Sequence, residues 1–347
     1  MSLEFVKRDL DQLQILIKSS ILFFEQSLEY AADLCGREEL SKDQANGYLA
    51  EILHSILFIG YINIPSIGPQ QLLPENAVGS LMNSFPDVFE KYTSHLPLRT
   101  PYSILLDMVV QTTGDQAMDL PKNLLALNEK MHVPRNGKKM CGNDFCLASS
   151  VVSYCYFEKG NKKSKKYFGA SVACTGKAKR DFFINLSCVK TWNRKVALGV
   201  CLAAKGRKSI MLPKAVYSAA FTMLNDQRDE DHEGNSDHIG RGSRQRYAQR
   251  RACEKCWGIF PEVVFLPPER DEERASWKHG NCAECEAMSN LLNGEVTVDE
   301  GVKLGEDLLS TAAANEKLKP LLKRRINNLK STLKNRIETA EFQFFLP

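Results

Sequence analysis

The sequence has no apolar stretch close to the ~20 residues that a membrane-spanning helix requires. The longest candidate, residues 52–64, is interrupted by His54 and by other polar or small residues. A secretory signal is also missing from the first residues, where charge already appears at Glu4. These absences argue against a membrane protein, and we expect a cytoplasmic or nuclear chain with no membrane partner.

The chain also lacks a large excess of charge. Its 46 Lys and Arg residues nearly balance 42 Asp and Glu residues, which leaves a net charge of +4. An argument for a nucleic-acid partner must therefore depend on local clusters of charge. The eleven cysteines are odd in number and scattered. Without a secretory signal, they indicate reduced thiols and a metal site rather than a disulfide framework.

The length of 347 residues predicts about two domains. Residues 1–132 form a predicted helical domain, because apolar residues recur there at three- and four-residue steps. Within it, Ser41 is the predicted N-cap of one helix and Pro86 is predicted to break another. A linker rich in Pro, Gly and Lys follows at 133–147.

Residues 148–297 change to a pattern rich in β-branched and aromatic residues, which predicts strands alternating with helices. Within this range, 225–250 has few apolar residues and is a predicted mobile insert. Residues 298–347 are predicted C-terminal helices. We therefore expect an α+β protein whose helical N-terminal domain precedes an α/β domain with a short mixed sheet. The predicted strands are 151–157, 167–174 and 181–189, while 213–224 is a predicted helix and 196–204 fits either state.

Positive charge is concentrated between Lys159 and Lys214, where fifteen Lys or Arg residues accompany one acid, Asp181. Aromatic residues such as Tyr167 and Trp192 are interleaved with them. That pattern suits single-stranded nucleic acid, since lysines contact phosphates and rings stack on bases. The alternative is a solvated basic face over core aromatic residues. The candidate nucleic-acid contacts are Lys162, Lys163, Lys165, Lys166, Lys179 and Arg180.

Two C-x-x-C pairs, separated by 25 residues, provide the most specific pattern in the chain. The first pair is Cys253 and Cys256, and the second is Cys282 and Cys285. Thiolates at such spacing are typical of a zinc site. The sequence therefore predicts bound Zn²⁺.

The second pair stands at a predicted helix N-terminus. Asn281 is the expected N-cap, and Glu284 falls at the third helical position. One interpretation is that the pair forms a capping box, which would explain the glutamate without a catalytic role. The helix dipole and the free backbone N–H groups would favour a thiolate at Cys282.

Cys282-Ala283-Glu284 at the start of a helix resembles the zinc-helix motif of the cytidine deaminases and the wider nucleic-acid deaminase superfamily. In that family the cysteine binds zinc, and the glutamate moves protons between activated water and the base. A second helix opening with C-x-x-C supplies the other ligands, a role that falls here to Cys253 and Cys256. The resemblance implies a deaminase-like fold with two zinc-binding helices and Glu284 as the catalytic residue.

The order of the two motifs is reversed in this chain, because the C-x-x-C helix precedes the Cys-Ala-Glu helix. Ala252 stands where the family places a proline before the C-x-x-C. In the same comparison, the segment Phe168-Gly169-Ala170 could belong to the hairpin that opens the deaminase sheet.

A closed structural site is the competing hypothesis. With Cys285 as fourth ligand, the four thiolates would complete a tetrahedron and leave no open position for water. His279 is a further candidate ligand, and Glu286 is expected to be a solvated helix residue. The two functional hypotheses are thus a zinc-dependent deaminase acting on a nucleobase, a nucleoside or single-stranded nucleic acid, and a non-enzymatic zinc module that binds nucleic acid or a protein.

Overall fold

The computed structural model describes residues 3–113, 119–131, 133, 147–174, 176–207, 209–222, 248–272, 274–334, 336–337 and 342–347. It has an α+β architecture, as the sequence predicts, with a helical N-terminal half followed by a mixed sheet and further helices. Within these ranges, no helix combines the length and the apolar character that crossing a membrane requires.

The N-terminal half is built from helices whose ends follow local sequence rules. The Ser41 hydroxyl accepts a hydrogen bond from the Gln44 backbone N–H, and the Gln44 side chain accepts one from the Ser41 N–H. This capping box confirms the predicted start of the second helix. Pro86 separates two short helices, as predicted. The helices are α1 (Leu3–Gly36), α2 (Lys42–Tyr61), α3 (Pro69–Leu72), α4 (Val78–Ser84), α5 (Pro86–Lys91), α6 (Pro101–Thr113) and α7 (Asp119–Met131).

Six strands form one mixed sheet in the second half. They are β1 (Val151–Lys159), β2 (Lys162–Lys163), β3 (Tyr167–Ala170), β4 (Val216–Thr222), β5 (Ala248–Arg250) and β6 (Val264–Leu266). Strand β1 pairs antiparallel with β2, β3 and β4, whereas β4 pairs antiparallel with β5 and parallel with β6. The first predicted strand, 151–157, is confirmed.

Some of the remaining helices lie between these strands in the chain, and others follow the last strand. They are α8 (Gly176–Leu186), α9 (Arg194–Ala203), α10 (Glu254–Ile259), α11 (Ala283–Gly294), α12 (Val296–Glu300) and α13 (Thr311–Leu333), with a π-helical turn at Ser187–Thr191. A small hairpin of β7 (Lys303–Leu304) and β8 (Asp307–Leu308) stands where the sequence predicts helix. The predicted C-terminal helix thus begins only at Thr311.

The predicted strand 167–174 is confirmed only for Tyr167–Ala170, and two further predictions of secondary structure are wrong. Residues 181–189, a predicted strand, belong to α8 and to the π-helical turn, where Phe182, Phe183 and Leu186 are buried. Residues 213–224, a predicted helix, contain β4, a strand with neighbours on both sides. Short apolar runs fit a buried helix or a buried strand equally well, so that tertiary packing decides between them.

Several predicted boundaries fall partly outside the described residues. Of the linker, 134–146 lie outside them, whereas Val133 and Leu147 are buried. Of the predicted mobile insert, 225–247 lie outside them, and 248–250 form β5. Residues 196–204, which fit either state, are helical in α9.

The two halves share a hydrophobic core. One buried cluster includes Phe58 and Leu105 from the N-terminal helices, Phe168 of β3, Phe182 of α8 and Leu329 of α13. A second cluster surrounds the cysteines of α10 and α11. The division into domains stays a prediction, but burial of apolar surface connects its parts.

Helix α11 lies across β3 and β1, and a glycine permits the contact. A Cβ atom at Gly169 would lie 2.2 Å from the backbone nitrogen of Ala287 and 2.6 Å from the oxygen of Ala283. These are backbone atoms, so only glycine allows α11 to approach the strand so closely. The contact fixes the N-terminal turn of α11 relative to the sheet.

Candidate metal centre

Two helices begin at cysteines that face each other. Cys253 is the N-cap of α10 and Cys282 is the N-cap of α11, each with an extended backbone conformation. Cys256 lies on α10, one turn after Cys253. Both helix N-termini thus direct free backbone N–H groups toward the same region, which favours negative charge there.

The sulfur atoms of Cys253, Cys256 and Cys282 form one buried group. The Cys253 sulfur lies 3.5 Å from that of Cys256 and 3.4 Å from that of Cys282, and the three atoms all lie within 4.8 Å of one another. A disulfide would need about 2.05 Å. Thiolates that share a tetrahedral zinc ion at ~2.3 Å lie about 3.8 Å apart, which is close to these separations.

Hydrogen bonding among the three thiols favours one thiolate. The thiols of Cys256 and Cys282 donate to Cys253 and hold its pKa far below the ordinary value, although burial opposes this. The pKa values of Cys256 and Cys282 are raised well above normal, first because each is bonded to Cys253. A negative charge is therefore already stabilised where a metal cation would bind.

Glu284 contributes a carboxyl group to the same cluster. It is only 4% exposed, and it lies beside Cys253 and Cys256, which both affect its pKa. Burial, followed by the Cys253 charge, raises its pKa to about 7. A carboxyl group with this pKa can accept and release a proton near neutral pH.

The N-cap predicted at Asn281 is wrong, and so is the alternative in which Asn281 and Glu284 form a capping box. Helix α11 begins one residue later than expected, with Cys282 as N-cap and no side-chain cap hydrogen bond. The Asn281 carbonyl oxygen instead accepts from the Val172 N–H at 3.0 Å, which holds residue 281 outside the helix beside the sheet. Glu284 is consequently the second helical residue, and helix capping does not account for it.

Cys285 is fully buried, but it lies outside the group of three thiols. It packs in the apolar cluster that also contains Cys155 and Cys188, and burial raises its pKa. His279 is half-buried and likewise lies outside the group. Among the described residues, the geometry therefore brings together Cys253, Cys256 and Cys282, with Glu284 beside them.

Glu286 was expected to be solvated, and this expectation is wrong. Its Oε2 atom accepts from the Ala170 N–H at 2.7 Å and from the Ser103 hydroxyl at 3.1 Å. Burial raises its pKa, while these two hydrogen bonds oppose that shift. Glu286 thus links α11 to the end of β3 and, through Ser103, to the first turn of α6.

Sequence reasoning missed two residues at the centre, Trp277 and Lys255. The indole nitrogen of Trp277 donates to the Cys282 sulfur at 3.0 Å. Lys255 donates its ammonium group to the carbonyl oxygens of Ala275, at 2.8 Å, and of Trp277. Lys255 stands inside the first C-x-x-C and so lies near the centre by position, whereas no local pattern singles out Trp277.

The candidate nucleic-acid lysines lie beside aromatic rings on the hairpin of β1, β2 and β3. The ammonium of Lys166 lies 4.8 Å from the Tyr154 ring centre, and that of Lys163 lies 5.3 Å from the Tyr156 ring. Tyr156 stacks on Tyr217 of β4 with ring centres 5.1 Å apart. Lys162 and Lys165 are exposed, and Lys165 lies 5.2 Å from the Tyr167 ring.

This hairpin lies at the opposite end of α11 from the cysteines. The Tyr167 hydroxyl donates to Glu295 at 2.9 Å, directly after the C-terminus of α11. Cys282 stands at the N-terminus, and a helix of 12 residues is about 18 Å long. The hairpin lysines thus lie apart from the buried thiol group.

Lys179 and Arg180 occupy a different position, on α8. Lys179 donates to the Asn63 side chain at 2.7 Å, and burial lowers its pKa. The neighbouring Asp181 pairs with Lys278, which precedes α11 by five positions. The Asp181–Lys278 pair places α8 beside the loop that precedes α11, whereas Lys179 is already engaged within the protein.

No protein-family model, no curated protein and no solved structure matches the chain. The fit of the site to a metal therefore depends on its donors alone. Three buried sulfur atoms at mutual distances close to those of a shared tetrahedron form a group that could hold a metal ion.

Proposed function

We propose that the chain is a zinc-dependent hydrolase that removes the amino group of a nucleobase. The observation that carries the proposal is the meeting of Cys253, Cys256 and Cys282 beside the carboxyl group of Glu284. A purely structural site has no use for a buried carboxyl group with a raised pKa, since burying it unpaired with a cation costs free energy.

Sulfur ligands favour zinc over the hard cations that prefer oxygen. Three protein ligands also leave one tetrahedral position open, which is the arrangement typical of catalytic zinc. When bound, zinc supplies activated water near neutral pH. Cys285 and His279 lie outside the group among the described residues, so neither fills that position.

Glu284 would carry the protons of the reaction. Its carboxylate takes a proton from the attacking water and delivers it to the ring nitrogen, and a second transfer lets the amino group leave as ammonia. The raised pKa of Glu284 suits both halves of this cycle, because the group releases a proton as readily as it takes one near pH 7.

The substrate that we propose is a base in single-stranded nucleic acid. Lys162, Lys163, Lys165 and Lys166 supply charge for phosphates, and the rings beneath them resemble a stacking surface. This surface would hold the strand at some distance from the thiol group, so that polymer binding and chemistry could be separated by mutation. A cytoplasmic or nuclear location agrees with the nine described cysteines, which are all free thiols.

Ammonia release tests the proposal directly. The zinc-loaded chain is incubated with cytidine, deoxycytidine, adenosine, and single-stranded DNA and RNA. Turnover should fall at least ~100-fold in Glu284→Gln with zinc content unchanged, because the proton carrier is lost and the thiols remain. Cys285→Ser is the matched control on the same helix and should keep activity. Zinc-loaded wild type without turnover on any of these substrates would overturn the proposal.

The second candidate is a structural zinc module that binds nucleic acid or a protein. The burial of the site favours it, since Cys253, Cys256, Cys282 and Glu284 are all less than 10% exposed. In such a module, zinc removal unfolds α10 and α11, and Glu284→Gln changes only stability. Zinc-dependent folding without ammonia release would identify this case.

A further inference from the structure

The loop before α11 places an indole group against one of the three thiols. The Trp277 Nε1–H donates to the Cys282 sulfur at 3.0 Å, a contact made from the half-buried loop rather than from either helix. Hydrogen bonds to a metal-bound sulfur withdraw charge from it and fix its direction. Trp277 therefore contacts the centre through the sulfur rather than through substrate or metal.

A residue of α10 holds the backbone of Trp277 in position. Lys255, located between Cys253 and Cys256 on α10, donates to the carbonyl oxygens of Ala275 and Trp277. The Lys255 ammonium group thus connects the loop before α11 to α10, the helix that supplies the other two thiols. The loop cannot move away from α10 without breaking both hydrogen bonds.

We infer that Trp277 is a positioning residue that sets the donor strength of Cys282 toward the metal, and that Lys255 holds it in place. The inference rests on the metal centre of the proposed function but not on the reaction assigned to it. The role concerns one sulfur out of three, because among the residues that the structure describes neither Cys253 nor Cys256 has an indole donor.

A second tryptophan provides a matched control. Trp257 follows Cys256 directly on α10, but its ring packs against Phe265 and Arg270, with centre distances of 4.8 Å and 4.9 Å. Its indole nitrogen has no hydrogen-bond partner among the described residues. Replacing Trp257 with Phe thus removes the same indole group from the same neighbourhood without removing a bond to sulfur.

Replacing zinc with cobalt(II) allows the metal–sulfur bond to be followed by its absorption spectrum, which does not depend on enzymatic activity. The energy of sulfur-to-cobalt charge transfer falls when a thiolate loses a hydrogen-bond donor, because the sulfur then gives up an electron more easily. The full chain is loaded with cobalt as wild type, Trp277→Phe and Trp257→Phe. We expect a shift to longer wavelength in Trp277→Phe alone, together with metal affinity weakened by about 10-fold or more.

A measurement on the wild type covers the case in which Trp277→Phe does not fold. With an NMR-active cadmium isotope bound, the indole proton of one of the three tryptophans should show coupling to the metal nucleus across the sulfur. Unchanged cobalt spectra in folded Trp277→Phe, an equal shift in Trp257→Phe, or no coupled indole proton would each overturn the inference. A wild type that binds no metal would instead remove the proposed centre itself.

Discussion

The Cys253 sulfur at the start of α10 lies 3.4 Å from the Cys282 sulfur at the start of α11, although the two residues are 29 positions apart in the chain. This contact joins the N-termini of the two helices. It also places Glu284, the second residue of α11, beside three potential metal ligands, which is the arrangement that the proposed hydrolytic site requires. The first prediction follows from this arrangement.

Metal content should respond differently to the two cysteines of the second C-x-x-C. We expect about one zinc ion per chain in the wild type and in Cys285→Ser, because Cys285 lies outside the thiol group. Cys282→Ser should lose most of the zinc, since only two thiols remain. Elemental analysis after purification without added zinc measures this. Equal zinc loss in both variants would indicate a four-thiolate site.

Binding of single-stranded nucleic acid should depend on the hairpin. The tested variant replaces Lys162, Lys163, Lys165 and Lys166 with Ala, and it should bind more weakly. The slope of log affinity against log salt concentration should become shallower by up to about 3, because each lost phosphate contact contributes ~0.7. Lys163 is already paired with Glu158, so we expect it to contribute least to the change in slope. Fluorescence anisotropy over a range of salt concentrations measures the slope.

The control for this experiment uses four lysines on α13. Zinc content should stay unchanged in both sets of variants, because the hairpin and the thiols lie at opposite ends of α11. If affinity survives in the hairpin variant, or falls equally in the control, the hairpin is only a solvated face. The control residues, all exposed, are Lys317, Lys319, Lys323 and Lys330.

Stability should fall in mild acid because of His54. This fully buried ring stacks on Phe345 at 4.2 Å, and burial lowers its pKa to about 3. The unfolded chain takes up the proton near pH 6.5, whereas the folded chain does not, so the free energy of unfolding decreases as pH falls from about 6.5 toward 3. At pH 5, which is about 1.5 units below the pKa of His54 in the unfolded chain, the free energy of unfolding is lower by about 2 kcal/mol.

Urea unfolding of the wild type and of His54→Phe at several pH values tests this prediction. The phenyl ring can keep the stacking contact, and it cannot take up a proton. The variant should therefore lose less stability between pH 7 and pH 5 than the wild type does. Parallel pH dependence in the two proteins would show that His54 is protonated in the folded state as well.

Gly169→Ala should destabilise the protein by about 1–3 kcal/mol or more, because the added methyl group meets the backbone of α11 rather than a movable side chain. Gly79→Ala on α4 is the matched control, since a Cβ atom there has nothing within 4 Å. The control should change stability by less than about 1 kcal/mol, and in the stabilising direction. Chemical denaturation compares the two, and equal effects would contradict the close contact.

The sequence was sufficient for features that depend on neighbours in the chain. The N-cap at Ser41 and the break at Pro86 were both predicted, because each depends on contacts within a few residues. The spacing of the two C-x-x-C pairs likewise indicated a metal site. The α+β class followed from the change of periodicity near residue 150.

Only the tertiary structure decided which thiols meet and what surrounds them. The Ala170–Glu286 hydrogen bond joins residues 116 positions apart, and the Ser103–Glu286 bond joins residues 183 positions apart. No local pattern records such pairs, so Glu286 looked solvated and Trp277 went unnoticed. The same reason explains α8 and β4, whose apolar residues fit helix and strand alike until the core around them was known. Sequence thus determined the donors of the candidate site, and long-range packing determined that Cys282 joins Cys253 and Cys256 while Cys285 does not.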